Sequence, residues 1–574
     1  MYSGEKNVQI LLALLKEHGI KKIVVSPGSA NASFVASVQY DKEFEVFSSV
    51  DERSAAYIAC GLSEESQEPV AICCTGATAS RNYVPALTEA YYRKIPIVAI
   101  TATRPISMVG QNVDQIIDRS NIMNDIAVKS VNIPCVNNDD DAWEVNLKIN
   151  DALLEMIRKG KGPVHINLTT SYSLDFSVKK LAKERVIHRY FDESNMPQID
   201  KNKKIGIFVG NHSKWSDNLL KEVDEFCEKY NAIVFCDQTS NYKGKYSIQC
   251  GMFDLVGFPN KLKIDCLIHL GNISAVWPCG VDDVWRVNPD GEIRDTYKCL
   301  KKVFEMEEIE FFKYYNARKK GNSRDSFEKW DNEYKDILKR IEMKEESIPF
   351  SSFWIAKNTY KLLPVNSIVH FGILNSLRCW NCFKLDNSIK GYSNTGGFGI
   401  DGGVSSLIGA SLANSDKIYF GIFGDLAFFY DMNSLGNRHI GKNVRIMIVN
   451  NGLGGEFKNS LGNVQKAGLG EEANDYIAAY GHYGNKSATL IKHFAEDLGF
   501  EYLAATNKIE YNKQVDRFCC NKKTEKSIIF EVFVNDKDDV EALDFLINLS
   551  PNNEGIKEKV ISSTKNIIKS IRKM

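Results

Sequence analysis

An acid and an amide that close two apolar runs are the residues best suited to chemistry. Asp425 follows IYFGIF and Asn451 follows VRIMIV, so each sits at the carboxyl end of a buried-strand pattern. That end of an open α/β sheet is where ligands bind. Both side chains are hard oxygen donors of the kind that suits Mg²⁺, a cation that takes few protein ligands and completes its shell with phosphate oxygens and water. A diphosphate is the implied ligand. Gly424, Gly452, Gly454 and Gly455 flank the two donors and allow backbone to approach phosphate closely. A turn rich in Gly and Asn would account for the glycines, but not for an acid and an amide at matching strand ends.

Strands and helices must deliver these groups to one place. From Met1 to about Leu174, the stretches KKIVVSPGSANAS, EVFSSVDERSAAYIACGLS, PVAICCTGATASRNYVPALTEAYYRK and IPIVAITATRP join strands to turns and helices, and the loop VGQNVDQIIDRSNIMNDIAVKS precedes a further strand in GPVHINLT. The middle segment alternates strand and helix again, from KIGIFVGN to DVWRVNPDG. It holds no GxGxxG, so it reads as scaffold rather than as a dinucleotide site. The last third runs from the helix FSSFWIAKNTYKLLP through the strand SIVHFGILNS and a glycine-rich loop to the Asp425 segment. A polar loop to about Lys486, the helix ATLIKHFAEDLG and the strand SIIFEVFVN follow.

This alternation implies an α/β protein of three domains, each with a central parallel sheet flanked by helices. The expected boundaries are a first domain at 1–175, a charged linker at 176–200, a central domain at 201–345, a third domain at 346–550 and a basic helix at 551–574. That last helix lacks aromatic residues to bury in a membrane and reads as a surface or subunit-packing element.

Composition narrows the function. A chain of 574 residues exceeds one core, and a net charge of −1 without terminal blocks of like charge points away from nucleic acid. No run approaches the ~18 apolar residues of a membrane span, and the N-terminus lacks a signal-peptide pattern. Many of the 14 cysteines lie in apolar runs (Cys60, Cys73, Cys74, Cys266), as reduced thiols of a cytoplasmic enzyme would. Cys379 and Cys382 form CWNC, open to a redox or half-zinc reading. No second CxxC completes a zinc site, so free thiols are expected.

The stretch from Gly424 to Asn451 resembles the GDG-to-NN motif of thiamine diphosphate enzymes, in the GDL form of the MenD-type carboligases of menaquinone biosynthesis. The resemblance spans the chain and is weakest in the middle. It implies thiamine diphosphate and Mg²⁺ as cofactors, with Asp425, Asn451 and the Leu453 carbonyl as metal ligands. It also implies cofactor contacts from Gly424, Leu426, Gly452, Gly454, Gly455 and Thr75, and an apolar support beneath the rings from Ile400 with Phe398. The DERSAA string matches the catalytic-glutamate segment and assigns to Glu52 the proton exchange with the aminopyrimidine ring. A carboxyl buried against such a ring holds its proton more firmly than in water. Asp51 and Arg53 then read as a helix cap and an ion-pair partner. Because Glu52 and Asp425 fall in different domains, the family's arrangement implies a homodimer or homotetramer with active sites at the subunit interface.

Substrate residues depart from the family pattern. The SPGSR arginine is Ala30 here, Thr395 replaces the arginine of NRGASGID, and a third arginine has no clear match, with Arg378 or Trp380 near its place. Arg104 in TATRP does match. Losing paired guanidinium–carboxylate bonds costs about 1.5–3 kcal/mol each, which argues against the menaquinone substrates and leaves the cofactor untouched. Other polar groups near strand ends or in loops, Asn31, Arg81, Gln111, Gln115 and His482, are candidates for lining the altered pocket. The expected reaction is decarboxylation of a 2-oxo acid with transfer of the acyl unit to an acceptor. The alternatives are simple decarboxylation, or a degenerate fold that only binds.

Overall fold

The computed structural model describes residues 1–549 except 201, 213, 214, 260, 261, 277, 279, 319–324 and 461; the basic helix expected at 551–574 lies outside the described residues. Two compact units emerge. One comprises Met1–Phe191 with Gly291–Glu305, the other Asp192–Asp290 with the chain from Met306 onward.

The first unit is built on six parallel strands: β1 (Lys22–Val25), β2 (Glu45–Ser48), β3 (Val70–Cys74), β4 (Ile97–Thr103), β5 (Lys129–Ile133) and β6 (Val164–Thr169), in the order β2-β1-β3-β4-β6-β5. Short, β-branched, fully buried runs such as VAICC make these strands, because helices cover both faces of a parallel sheet. One face packs Val98, Ile100, Ile133, Ile166 and Leu168 against the helices Lys6–Glu17 and Asp139–Ile157. The strand β5 falls at the end of a stretch expected as loop, and the helix Asp139–Ile157 was also unmarked. In β5, Ser130 and Asn132 break the apolar pattern because they face polar partners (below). Inside the segment expected as a linker, β7 (His188–Tyr190) pairs with β13 (Leu300–Phe304).

The second unit carries two sheets. Its central strands are β8 (Ile205–Val209), β9 (Ile233–Cys236), β10 (Ser247–Gln249), β11 (Cys266–Leu270) and β12 (Val284–Val287). They run β10-β9-β8-β11-β12, with the chain reversing direction across the sheet between β8 and β11. There the backbones touch: a Cβ on Gly210 would lie 1.9 Å from the Asn272 carbonyl oxygen.

The last sheet comprises β14 (Ile368–Phe371), β15 (Lys390–Ser393), β16 (Tyr419–Gly424), β17 (Val444–Asn450), β18 (Glu501–Ala505) and β19 (Ile528–Phe533). All are parallel, in the order β15-β14-β16-β17-β19-β18. Reversal here falls between β14 and β16, which places the start of the helix Asp425–Asp431 at the switch point. Cys379 and Cys382 are free thiols buried in the helix Asn375–Trp380 and the turn after it, and desolvation pushes both pKa values up, away from a thiolate.

Candidate active site

At the end of β16, Asp425 is only 5% exposed. Burial pushes its carboxyl up to about 7, against the opposing pull of the backbone amides of Leu426, Asp425, Gly452 and Asn451. Those contacts join the ends of β16 and β17. No lysine, arginine or histidine pairs with Asp425 among the described residues. A carboxylate desolvated without a counterion is costly unless a cation is supplied.

Asn451 is oriented by two bonds: its Nδ2 donates to Asp539 Oδ2 at 3.2 Å, and its Oδ1 accepts from the Leu453 amide at 3.3 Å. Asp539 is itself buried and accepts from the Ser352 amide at 2.6 Å. The preceding amide, Asn450, donates to Glu531 at 2.7 Å and accepts from the Gly452 amide at 3.1 Å. The long polar loop folds back on the motif, with Asn485 donating to the Gly452 carbonyl and the Gly454 amide to Ala478. Gly452 has φ +76°, and a Cβ on Gly455 would lie 2.6 Å from Asn451 Nδ2, so both positions need glycine.

In the first unit, Asp51 caps the helix Glu52–Ser66 by accepting from the Arg53 amide at 3.0 Å. Glu52 opens that helix. Its Oε2 accepts from Asn82 Nδ2 at 3.0 Å, and the side chain is half-buried within one chain rather than buried, because the end of β2 lies at the surface. Nearby, burial raises the Cys74 thiol to about 12, with a smaller contribution from Glu52.

Three relatives align with nearly all of this chain. The 2-succinyl-5-enolpyruvyl-6-hydroxy-3-cyclohexene-1-carboxylate synthase of Bacteroides fragilis is 31% identical over 569 residues, covering 95% of this chain and 98% of the relative. That of Bacteroides thetaiotaomicron is 32% identical over 567 residues, with the same coverage. That of Flavobacterium psychrophilum is 28% identical over 582 residues, covering 94% of this chain and 98% of the relative. The chain belongs to the thiamine diphosphate enzymes, in the family of these synthases. Residues 6–122 match the family description "Thiamine pyrophosphate enzyme, N-terminal TPP binding domain". A solved thiamine diphosphate-dependent 4-hydroxybenzoylformate decarboxylase from Rhodococcus jostii RHA1 is similar over 92% of this chain and 99% of its own, at 17% identity and a TM-score of 0.41, too distant to bear on the site.

Residues of this thiamine diphosphate enzyme that were expected to line the site fall into three groups. Asp425, Leu426, Asn451, Gly452, Leu453, Gly454 and Gly455 form one continuous constellation with Gly424. Phe398 and Ile400 lie in the glycine-rich loop before the helix Gly403–Ala413, Phe398 exposed and held at φ +53°, Ile400 half-buried. In the first unit, Thr75 Oγ1 accepts from the Ala30 amide at 3.3 Å, Asn31 Nδ2 donates to the Ser26 carbonyl at 2.9 Å, and Arg81 donates to the Asp118 carbonyl at 3.1 Å.

Several expected substrate contacts are already engaged or turned to solvent. Both Nη atoms of Arg378 pair with Glu456, at 2.6 and 3.0 Å, so its fork is taken. Thr395 is 2% exposed. Gln111, Gln115 and His482 are exposed. Arg104 donates to the Tyr172 hydroxyl at 3.3 Å and stacks over its ring.

Sequence reasoning missed Asp539, Glu531 and Glu456, which hold Asn451, Asn450 and Arg378 from 78 to 88 positions away. No local pattern marks such partners; only the doubled amide Asn450–Asn451 hinted that one of the two would be structural.

Proposed function

We propose that this enzyme decarboxylates a 2-oxo acid and transfers the acyl unit to an acceptor, with thiamine diphosphate and Mg²⁺ as cofactors. The observation that carries the reading is the buried, counterion-free carboxylate of Asp425 set against Asn451 and a glycine loop, a donor set that suits a hard dication and a phosphate-bearing cofactor. Asp425, Asn451 Oδ1 and the Leu453 carbonyl would hold the metal, and Ile400 with Phe398 would support the rings. When bound, thiamine diphosphate supplies the carbanion chemistry. Glu52 would hold the proton to be exchanged with the aminopyrimidine ring, its carboxyl oriented by Asn82. Residue pairing across a subunit interface is supported by the exposed Tyr57 and Ile58 on the helix that Glu52 opens, and a homodimer or homotetramer follows.

Substrates differ from those named for the relatives. With Ala30 and Thr395 in place of arginines and Arg378 bound to Glu456, fewer guanidinium groups face a polyanionic pair of substrates. A simpler donor such as pyruvate and a hydroxylated acceptor fit better. The test is release of CO₂ from a panel of 2-oxo acids by the Mg²⁺- and thiamine diphosphate-loaded enzyme, with and without candidate acceptors. Turnover that rises with an acceptor supports ligation, and Glu52→Gln lowers it by about 10²–10⁴-fold. Free aldehyde from pyruvate at an equal rate without acceptor would favour simple decarboxylation; against that outcome, the sequence has no adjacent histidine pair for a proton relay. Calorimetry that finds no thiamine diphosphate binding in the presence of Mg²⁺ would overturn both.

A further inference from the structure

In a parallel sheet covered by helices, both strand faces are normally apolar. One face of β4, β6 and β5 is not. Thr101, His165, Asn167, Ser130 and Asn132 share it, linked in series. The His165 ring nitrogens meet Thr101 Oγ1 at 2.7 Å and Ser130 Oγ at 2.8 Å, and Asn167 Nδ2 donates to Asn132 Oδ1 at 2.8 Å. All but Ser130 and Asn132 are buried, and the registers Thr101↔Asn167↔Asn132 place the last three side by side. The face lies where β6 inserts between β4 and β5, a second reversal of strand order.

At the carboxyl end of this face opens a cavity of about 240 Å³, lined by Arg119, Arg104, Lys148, Asn132 and Asn167 among others. Arg119 is 4% exposed. Its Nη2 donates to the Ala102 carbonyl at 2.8 Å, while Nε and Nη1 are buried with no partner among the described residues. Acids at the rim are committed elsewhere: Glu144 pairs with Lys148, and Asp118 accepts from the Ser120 amide and hydroxyl. A buried guanidinium with two idle donors calls for an anionic acceptor, and a carboxylate oxygen is one. At ~30 Å³ per water, the cavity has room for a small acid rather than a drug-sized ligand.

We propose that this cavity is a binding site for a small carboxylate, held by Arg119 through an unpartnered N–H donor and flanked by Arg104. Binding here needs no catalysis; a part in turnover rests on the carboligase reading.

Titration calorimetry of the full-length enzyme with succinate and pyruvate tests the site, run on wild type, Arg119→Met, Arg119→Lys and the turnover-deficient Glu52→Gln. Wild type and Glu52→Gln bind at least one acid with equal affinity, and Arg119→Met weakens it about tenfold or more. Arg119→Lys, which keeps the charge without the fork, falls between and serves if the Met variant does not fold. In steady-state assays a raised KM for the donor in Arg119→Met identifies the bound acid as substrate. An unchanged KM with loss of a carboxylate's effect on rate identifies an effector. No binding by wild type, or equal binding by Arg119→Met, would mean that only water fills the cavity and overturns the proposal. Because Glu52→Gln binds without turning over, failure of the site is distinguishable from failure of the proposed reaction.

Discussion

Two sheet ends in this protein present opposite electrical problems. Where β16 and β17 finish, a buried carboxylate, Asp425, has backbone amides around it but no cation; where β4, β6 and β5 finish, a buried guanidinium, Arg119, has a carbonyl beside it but no anion. Other buried charges are matched by an opposite one, as in Arg378 with Glu456 or Arg185 with Asp295. Desolvating an unmatched ion is expensive, and at these two sheet ends a ligand of the opposite sign would offset that cost. The sign of the uncompensated charge says which ligand: a dication at Asp425, a carboxylate at Arg119.

The sharpest way to break this comparison is to remove the charge at Asp425. Asp425→Asn should weaken metal-dependent cofactor binding by more than the ~10–100-fold typical of losing an outer ligand partner. The cofactor-free variant should nevertheless melt higher than wild type at pH 8. A carboxyl raised to about 7 costs folding free energy once ionised, on the order of a few kcal/mol, and Asn carries no such cost. A lower melting temperature without cofactor would show that Asp425 is already compensated.

A milder change separates holding a donor from being one. Asp539→Asn leaves Asn451 in place but disturbs the bond that orients it, so metal affinity should fall about tenfold with little loss of fold. Unchanged Mg²⁺ dependence of cofactor binding would remove Asp539 from the site.

The smallest expected effect concerns the polar floor beneath Arg119. Burial, with help from the charges of Arg119 and Arg81, depresses His165 to about 3. The unfolded chain therefore binds a proton that the fold refuses between about pH 6.5 and 3, and stability falls as pH falls through that window. His165→Gln should flatten that part of the denaturation profile measured by urea titration. An identical slope would place the acid sensitivity elsewhere, for instance at His370, depressed to about 4.

The readable parts of the fold were those whose signal is local. Apolar runs such as IYFGIF and VRIMIV announce strands wherever they occur, and their carboxyl ends located Asp425 and Asn451 without any knowledge of sheet order. The strand β5 escaped because Ser130 and Asn132 interrupt its apolar pattern. Those two residues are polar because of what sits across the sheet from them, which the strand's own sequence does not contain.

Chain sequence alone therefore determined the family, the α/β class and the cofactor motif, since these rest on residue types at strand ends and on spacing along the chain. Only tertiary structure decided which charges are answered. Glu456 neutralises an arginine 78 positions away, Asp539 orients an amide 88 positions away, and the insertion of β6 between β4 and β5 builds the polar floor beneath Arg119. Compensation of a buried charge depends on distances of a few ångström between residues remote in sequence, and those distances exist only once the sheets have formed.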